Sequence, residues 1–413
     1  MTGESLTSMG LLLLVACLIA IVSRKFGMPY IVGLVIAGIL IALLPITPEL
    51  PLSRELIFDI FLPPLIFEGA LQLDWKSFRR ELPLTLTLAL LGVAIGAVFV
   101  AASMHLVFGW SLIGAALFGT LIAATDPVSV IAAFREMGAE KRLAMVVESE
   151  SLLNDAVVAV AFVVLIGIAA GGSASPATVL PQFLLTALIG IAVGAAASGL
   201  AMIIAYNTSD SLIEIAITTV AAYGSFLVAE HFHGSGVLAA MTAGMMFGNI
   251  GWHRVLSASG CDDLDNAWAY FAFLANSFVF LLIGMNTASQ PLLARDFLPF
   301  ALVIVLVLIG RALAIYPLAA LFRPTRLALS GDYQHVLFWG GLRGALALAL
   351  ALGVPSTVPE ANLILAGAFA VVAFSILVQG LTMPPLIRRL GVGGKRADPD
   401  PCADSASGRS AIS

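Results

Sequence analysis

Apolar runs of about 20 residues return along almost the whole chain, separated by short polar turns, and this repetition decides the fold class. About 20 apolar residues let an α-helix cross the hydrocarbon core of a bilayer, where backbone polar groups must be satisfied within their own segment. Thirteen such runs lie at approximately 7–23, 28–45, 55–72, 82–105, 111–133, 143–169, 178–204, 211–229, 234–249, 265–286, 297–321, 331–353 and 361–387. Those near 55–72 and 234–249 are weak or short. Charged residues make up only 11% of the chain, against roughly 25% in a soluble domain. The expected fold is an all-α polytopic membrane protein with about 13 transmembrane helices.

The basic residues test this layout. Arg24 and Lys25, then Lys76, Arg79 and Arg80, then Arg135, Lys141 and Arg142, then Arg254, Arg323 and Arg326, and finally Arg388, Arg389, Lys395, Arg396 and Arg409 all fall at alternate ends of the runs. Only Arg54 and Arg295 fall opposite, while Arg311 and Arg343 lie within runs. The excess of Lys and Arg marks the cytoplasmic side, so the amino terminus is expected outside and the carboxy terminus in the cytoplasm. Residues 1–390 read as one transmembrane domain. Residues 391–413, rich in Gly, Ser, Pro, Asp and Arg, read as a disordered cytoplasmic tail. The start of the chain lacks the basic segment and cleavage site of a signal peptide. Cys17, Cys261 and Cys402 are too scattered for a disulfide framework or a metal cluster. Neither a cofactor nor a nucleic-acid partner is called for.

Three carboxylates interrupt the apolar runs within one helical hairpin, in Thr125-Asp126-Pro127 and in Glu150-Ser151-Leu152-Leu153-Asn154-Asp155. An acid at that depth costs about 2.5–3.5 kcal/mol on insertion scales and reads by default as functional. Pro127 removes an amide donor in mid-run, which breaks or kinks the helix. Thr125 and Asp126 are placed to cap the half-helix that follows, whose dipole favours an anion; a plain proline kink is the simpler reading. Glu150 and Asn154 are i,i+4 neighbours, as are Ser151 and Asp155, so all four project from adjacent strips of one helix. Asp155 and Ser151 offer hard oxygen ligands for a small monovalent cation. Glu150 is placed to pair with Arg343, and Asn154 to bond backbone freed by the broken helix; a polar packing network is the blander reading.

A second break is expected at Gly340-Gly341-Leu342-Arg343-Gly344. Arg343 cannot deprotonate, so at mid-membrane it needs a carboxylate or a cage of acceptors, unless it snorkels to water. The separation from Glu68 to Asp126 nearly equals that from Gly284 to Arg343, and each pair is two runs apart. This pattern points to inverted repeats with two broken, crossing helices, and such breaks mark a transporter's binding site. Glu68, after Pro63-Pro64, either lines an access path or pairs with a neighbouring donor. His105, His231, His233, His253 and His335 read as surface or satisfied histidines. Asp262, Asp263 and Asp265 read as a solvated cytoplasmic loop, with attraction of cations as the sharper alternative.

Together, Pro63-Pro64-Leu65-Ile66-Phe67-Glu68, Thr125-Asp126-Pro127, Glu150-Ser151-Leu152-Leu153-Asn154-Asp155 and Gly341-Leu342-Arg343-Gly344-Ala345 resemble the monovalent cation:proton antiporters of the NhaP/NHE branch. The resemblance implies an NhaA/NapA-like fold, a homodimer, a mobile core beside a dimerisation domain, and elevator-type alternating access. It implies that Asp155 binds cation and proton in competition, that Asp126, Ser151, Thr125 and Glu150 complete the Na⁺ site, and that Arg343 pairs with Glu150. Asn154 stands where the electrogenic branch carries a first aspartate, and Arg343 near that branch's lysine. A bacterial inner-membrane protein is implied.

The expected activity is electroneutral one-for-one exchange of Na⁺ or Li⁺ for H⁺, not enzymatic catalysis. Exchange of K⁺ is the near alternative, and a cation channel or an intramembrane aspartyl protease the remote ones; the protease would leave the Arg343 break unexplained.

Overall fold

The computed structural model describes residues 3–26, 28–43, 53–173, 175–208, 210–251, 258–288 and 297–393. The expected tail beyond Gly393, together with His253, Arg254 and Arg295, lies outside them. The helices follow the apolar runs in order: α1 (Gly3–Phe26), α2 (Tyr30–Ala42), α3 (Leu62–Leu71), α4 (Trp75–Thr87), α5 (Val93–Phe108), α6 (Leu112–Leu121), α7 (Val128–Met137), α8 (Lys141–Ala169), α9 (Pro176–Ala205), α10 (Ser211–His231) and α11 (Gly236–Met246). After them come α12 (Ala258–Ala288), α13 (Phe297–Leu321), α14 (Gly331–Trp339), α15 (Ala345–Leu352), α16 (Ala361–Phe374) and α17 (Gly380–Leu390). Among the described residues the only β-type pairing is one isolated bridge, Ala139 to Gly393.

Seven helical stretches are individually long and apolar enough to cross a membrane, and four further apolar helices are shorter. Outward faces stay apolar, as at Leu184, Leu188 and Ile203 on α9. Such continuous apolar surface belongs against lipid rather than water. This is a multi-pass helical membrane protein.

Helix ends are set by local chemistry. Asp74, Ser111, Asp210, Ser235 and Ser330 each accept a backbone N–H in the first turn of the helix that follows, satisfying donors with no partner inside the helix. These bonds from Ser77 hold the Asp74 carboxyl below its ordinary range. Gly109, Gly138 and Gly391 end α5, α7 and α17 in the left-handed conformation, which lacks a steric penalty only for glycine. Ahead of α3 the chain forms a π-helical turn at Leu56–Phe61. Pro63 and Pro64 cannot donate to the carbonyls before them; the Ile60 carbonyl instead accepts from the Tyr223 hydroxyl at 2.9 Å. Asp262, Asp263 and Asp265, expected in a loop, lie on α12, where Asp265 accepts from Gln72 at 3.3 Å.

The tightest packings fall into two sets, one joining α1–α3 with α9–α12, the other joining α4–α8 with α13–α17. In the second set Arg142, at the start of α8, grips both carboxylate oxygens of the buried Glu81 on α4 (2.9 and 3.0 Å) and the Ala328 carbonyl between α13 and α14 (3.3 Å). In the first set α2 and α12 cross with backbones almost touching at Gly38 and Gly284. A Cβ at Gly38 would overlap the Leu281 carbonyl and lie 3.0 Å from Gly284 Cα. Gly38→Val should therefore destabilise the solubilised protein by about 1–3 kcal/mol through overpacking. Gly224→Ala, where an added Cβ meets nothing within 4 Å, should leave the melting temperature unchanged; equal melting of the two variants would refute the crossing.

Candidate functional site

Two interruptions meet at the centre of the second helix set. The first separates α6 from α7 at residues 122–127, the second α14 from α15 at residues 340–344. The Asp126 amide donates to the Leu342 carbonyl at 2.7 Å, joining the breaks through their backbones. Their free helix ends each face a charge of suitable sign. Asp126 Oδ1 accepts from Val128 N at 3.0 Å and so caps α7. The same carboxyl lies against Gly344 at the start of α15, where a Cβ would collide with it. At the carbonyl ends, Arg343 donates to Ala123 O and Ala124 O at 3.1 and 3.2 Å beyond α6. Arg311 donates to Leu337 O at 3.1 Å in the last turn of α14. Acids at helix N-termini and bases at C-termini are the favourable arrangement.

Glu150 does not pair with Arg343. Arg311, from α13, holds both of its oxygens at 2.8 and 3.2 Å in a buried bidentate pair. Gly341 makes room for this guanidinium: an added Cβ would stand 2.6 Å from Arg311 Nε. The expected pairing fails because Arg343 is drawn to the carbonyls of the first break, which form the acceptor cage that the residue needs. With both oxygens engaged, Glu150 is a charge partner here rather than an open cation ligand.

On the other face of α8 a cavity of about 730 Å³ reaches the crossing. Its floor carries Asp155, Asp126, Thr125, Pro127 and Ser151. Asp155 Oδ1 is buried and has no hydrogen-bond partner. Ser151 Oγ donates to the Thr125 carbonyl at 2.5 Å, and Thr125 Oγ1 donates to Ser151 Oγ at 3.3 Å. Thr125 therefore ties the break to α8 instead of capping α7. Glu68 lines the opposite wall. Asn154 points away from the cavity, into a small void that it shares with Arg311 and Arg343; its amide oxygen is buried without a partner, so it does not hold the broken backbone through that oxygen.

Three residues at or beside this centre escaped the sequence reading. Arg311 sits in an apolar run with no motif around it. Glu148 lines the cavity and was legible, being three residues before Ser151 and seven before Asp155 on the same helical stripe. Asn276, from α12, lines it from the far wall. Among the described residues no three His, Cys, Asp or Glu gather as metal ligands. The floor instead offers two carboxylates with hydroxyl and carbonyl oxygens beside them, a donor set suited to one hard cation or a proton. Of the histidines, His105 contacts the Trp110 carbonyl (2.7 Å) and His335 the Tyr316 hydroxyl (2.8 Å), both far from the floor in sequence.

Interrupted helices crossing beside buried carboxylates in a multi-pass bundle define a secondary transporter. The family model described as the transmembrane sodium/hydrogen exchanger matches residues 11–389, and the chain belongs to that family. It is 39% identical over 400 residues to the Na⁺/H⁺ antiporter ApNhaP of Aphanothece halophytica, covering 96% of this chain and 76% of that one. It is 37% identical to the low-affinity Na⁺/H⁺ antiporter NhaS1 of a Synechocystis strain, over 89% of this chain and 70% of the relative. The fold matches the sodium proton antiporter MjNhaP1 of Methanocaldococcus jannaschii at pH 8 with TM-score 0.75 and 20% identity, over 94% of this chain and 99% of that one.

Removing one member of the buried Arg311–Glu150 pair leaves the other charge stranded. Arg311→Met alone should cost about 3–5 kcal/mol, and the double variant Arg311→Met with Glu150→Gln should regain most of that loss. Thermal unfolding of the four proteins in detergent measures the coupling; additive losses would show that the pair is not a unit.

Proposed function

We propose that this chain exchanges Na⁺ or Li⁺ for H⁺, one for one and without net charge movement. Sodium is placed first because the relatives named above are Na⁺/H⁺ antiporters. The observation that carries the stoichiometry is a charge balance. At the crossing itself, Asp126, Glu150 and Asp155 set three negative charges beside the two positive charges of Arg311 and Arg343, with Glu68 and Glu148 lining the cavity beyond them. Among these five groups one negative charge is left, and one proton or one Na⁺ at Asp155 cancels it. Low-dielectric surroundings favour the neutral form of a carboxylic acid, and an arriving cation displaces that proton.

A neutralised floor crosses the bilayer far more cheaply than a charged one, which makes exchange obligatory. The first helix set is the dimerisation scaffold of a homodimer, and the second is the mobile core that moves past it by an elevator-type step. In this reading the chain crosses the bacterial inner membrane thirteen times, with its amino terminus outside. The cavity walls include Ala20, Met28, Ala133 and Pro384, near the ends that carry Lys25 and Arg388, so the cavity faces the cytoplasm.

Reconstitution into vesicles containing a pH dye tests the scheme. Addition of Na⁺ or Li⁺ should drive proton flux whose rate and end point do not respond to an imposed membrane potential. Asp155→Asn should reduce it at least about a hundredfold, as expected when the binding group itself is lost. A voltage-dependent end point would refute electroneutrality, and an active Asp155→Asn would remove the centre of the mechanism.

A further inference from the structure

Some of the oxygen at the crossing is already engaged, and a cation stripped of its water gains from each further oxygen within reach. Glu150 is held by Arg311, Asp126 Oδ1 accepts from Val128 N, and the Ser151 hydroxyl proton goes to the Thr125 carbonyl, which leaves a lone pair of Ser151 Oγ open. Hard cations are bound by oxygen, and one is available on the opposite wall. Asn276 lines the cavity, is 8% exposed, and its amide oxygen has no hydrogen-bond partner. Its neighbour Ser277, by contrast, is satisfied by the Tyr30 hydroxyl and the Phe273 carbonyl. An unpaired buried amide oxygen is costly, and a ligand that visits is a reason to keep one.

Asn276 and Asp155 line one cavity, from two helices that start at the same end of the protein. The start of α12 is tied to the end of α3 through Asp265 and Gln72. The chain then turns directly into α4, whose Glu81 holds Arg142 at the start of α8. The helices α12 and α8 thus run inward from one end of the protein. On α12 the lining residues are Ala269, Ala272, Phe273 and Asn276; on α8 they are Glu148, Ser151, Leu152 and Asp155. Each series descends seven residues, roughly 10 Å of helix, and ends on its unpaired oxygen.

We propose that Asn276 is a cation ligand: its amide oxygen completes, from the wall opposite, the coordination of the Na⁺ held by Asp155. This rests on the antiport reading above. The amide is neutral, so it assists the cation without altering the charge balance, and it gives the proton no comparable help. It therefore tilts the competition at Asp155 toward the metal. Because α12 belongs to the other helix set, the contact also exists only while the two walls face each other in this way.

The test compares wild type, Asn276→Leu and Asn276→Asp in vesicles with a pH dye, titrating Na⁺ at several pH values. Loss of one charge-assisted oxygen ligand should raise the KM for Na⁺ about tenfold in Asn276→Leu, with kcat within about twofold. Asn276→Asp, which keeps an oxygen at the same reach, should restore the KM to within about threefold of wild type. In detergent, the rise in melting temperature on adding NaCl should shrink for Asn276→Leu, while its sodium-free melting temperature stays at the wild-type value. A wild-type KM in Asn276→Leu overturns the proposal, as does a sodium-free melting temperature that falls together with kcat, which marks a purely structural residue. Should Asn276→Leu not fold, Asn276→Ser against Asn276→Ala gives the same contrast, and equal KM values overturn the proposal. A wild type that moves no protons when Na⁺ is added defeats the antiport reading itself.

Discussion

Broken backbone inside a bilayer has to find partners, and the structure depends on how the two breaks supply them. A helix interrupted in hydrocarbon exposes amides at one end and carbonyls at the other, with no water to satisfy them. Here each break uses charges contributed by the other or by a neighbouring helix. Asp126 caps the amide end of α7 and lies against the start of α15, Arg343 serves the carbonyls after α6, and Arg311 one of those closing α14. Residues that would be expensive alone become mutually compensating, and the five charged groups at the crossing leave one negative charge over.

The surplus is positioned with some economy. Because Glu150 and Asn154 project from one strip of α8 and Ser151 and Asp155 from the next, a quarter-turn of helix separates an engaged ion pair from an acid left open to a cavity. The fixed side sets the electrostatic background. The carboxyl open to the cavity is thereby separated from the ion pair that holds the crossing together, although the residues are adjacent in sequence.

Much of this was legible from the residues. Pro127 and the glycines around Arg343 predict the two breaks because they remove a donor and helix propensity, effects local enough to read from sequence. The helical spacing of Ser151 and Asp155 likewise places both on one face. What stayed hidden were partnerships across helices. Arg343 and Arg311 are both intramembrane arginines, and no local pattern says which reaches Glu150; the answer depends on Gly341 opening space for one guanidinium and on carbonyls near Ala123 attracting the other. The direction in which Asn154 points, and the approach of Asn276 from α12, are likewise products of packing.

The tie made by Arg142 has a mechanical corollary. By holding α4, α8 and the strap between α13 and α14 at one point, it couples the helix bearing Asp155 to the segment leading into the second break. In the elevator-type step proposed above, a displacement of α8 along the membrane normal drags both with it, so the crossing travels as cargo and does not have to be reassembled at its destination. Under that proposal the binding geometry is inherited unchanged by each end state, and only the water at its doorstep differs.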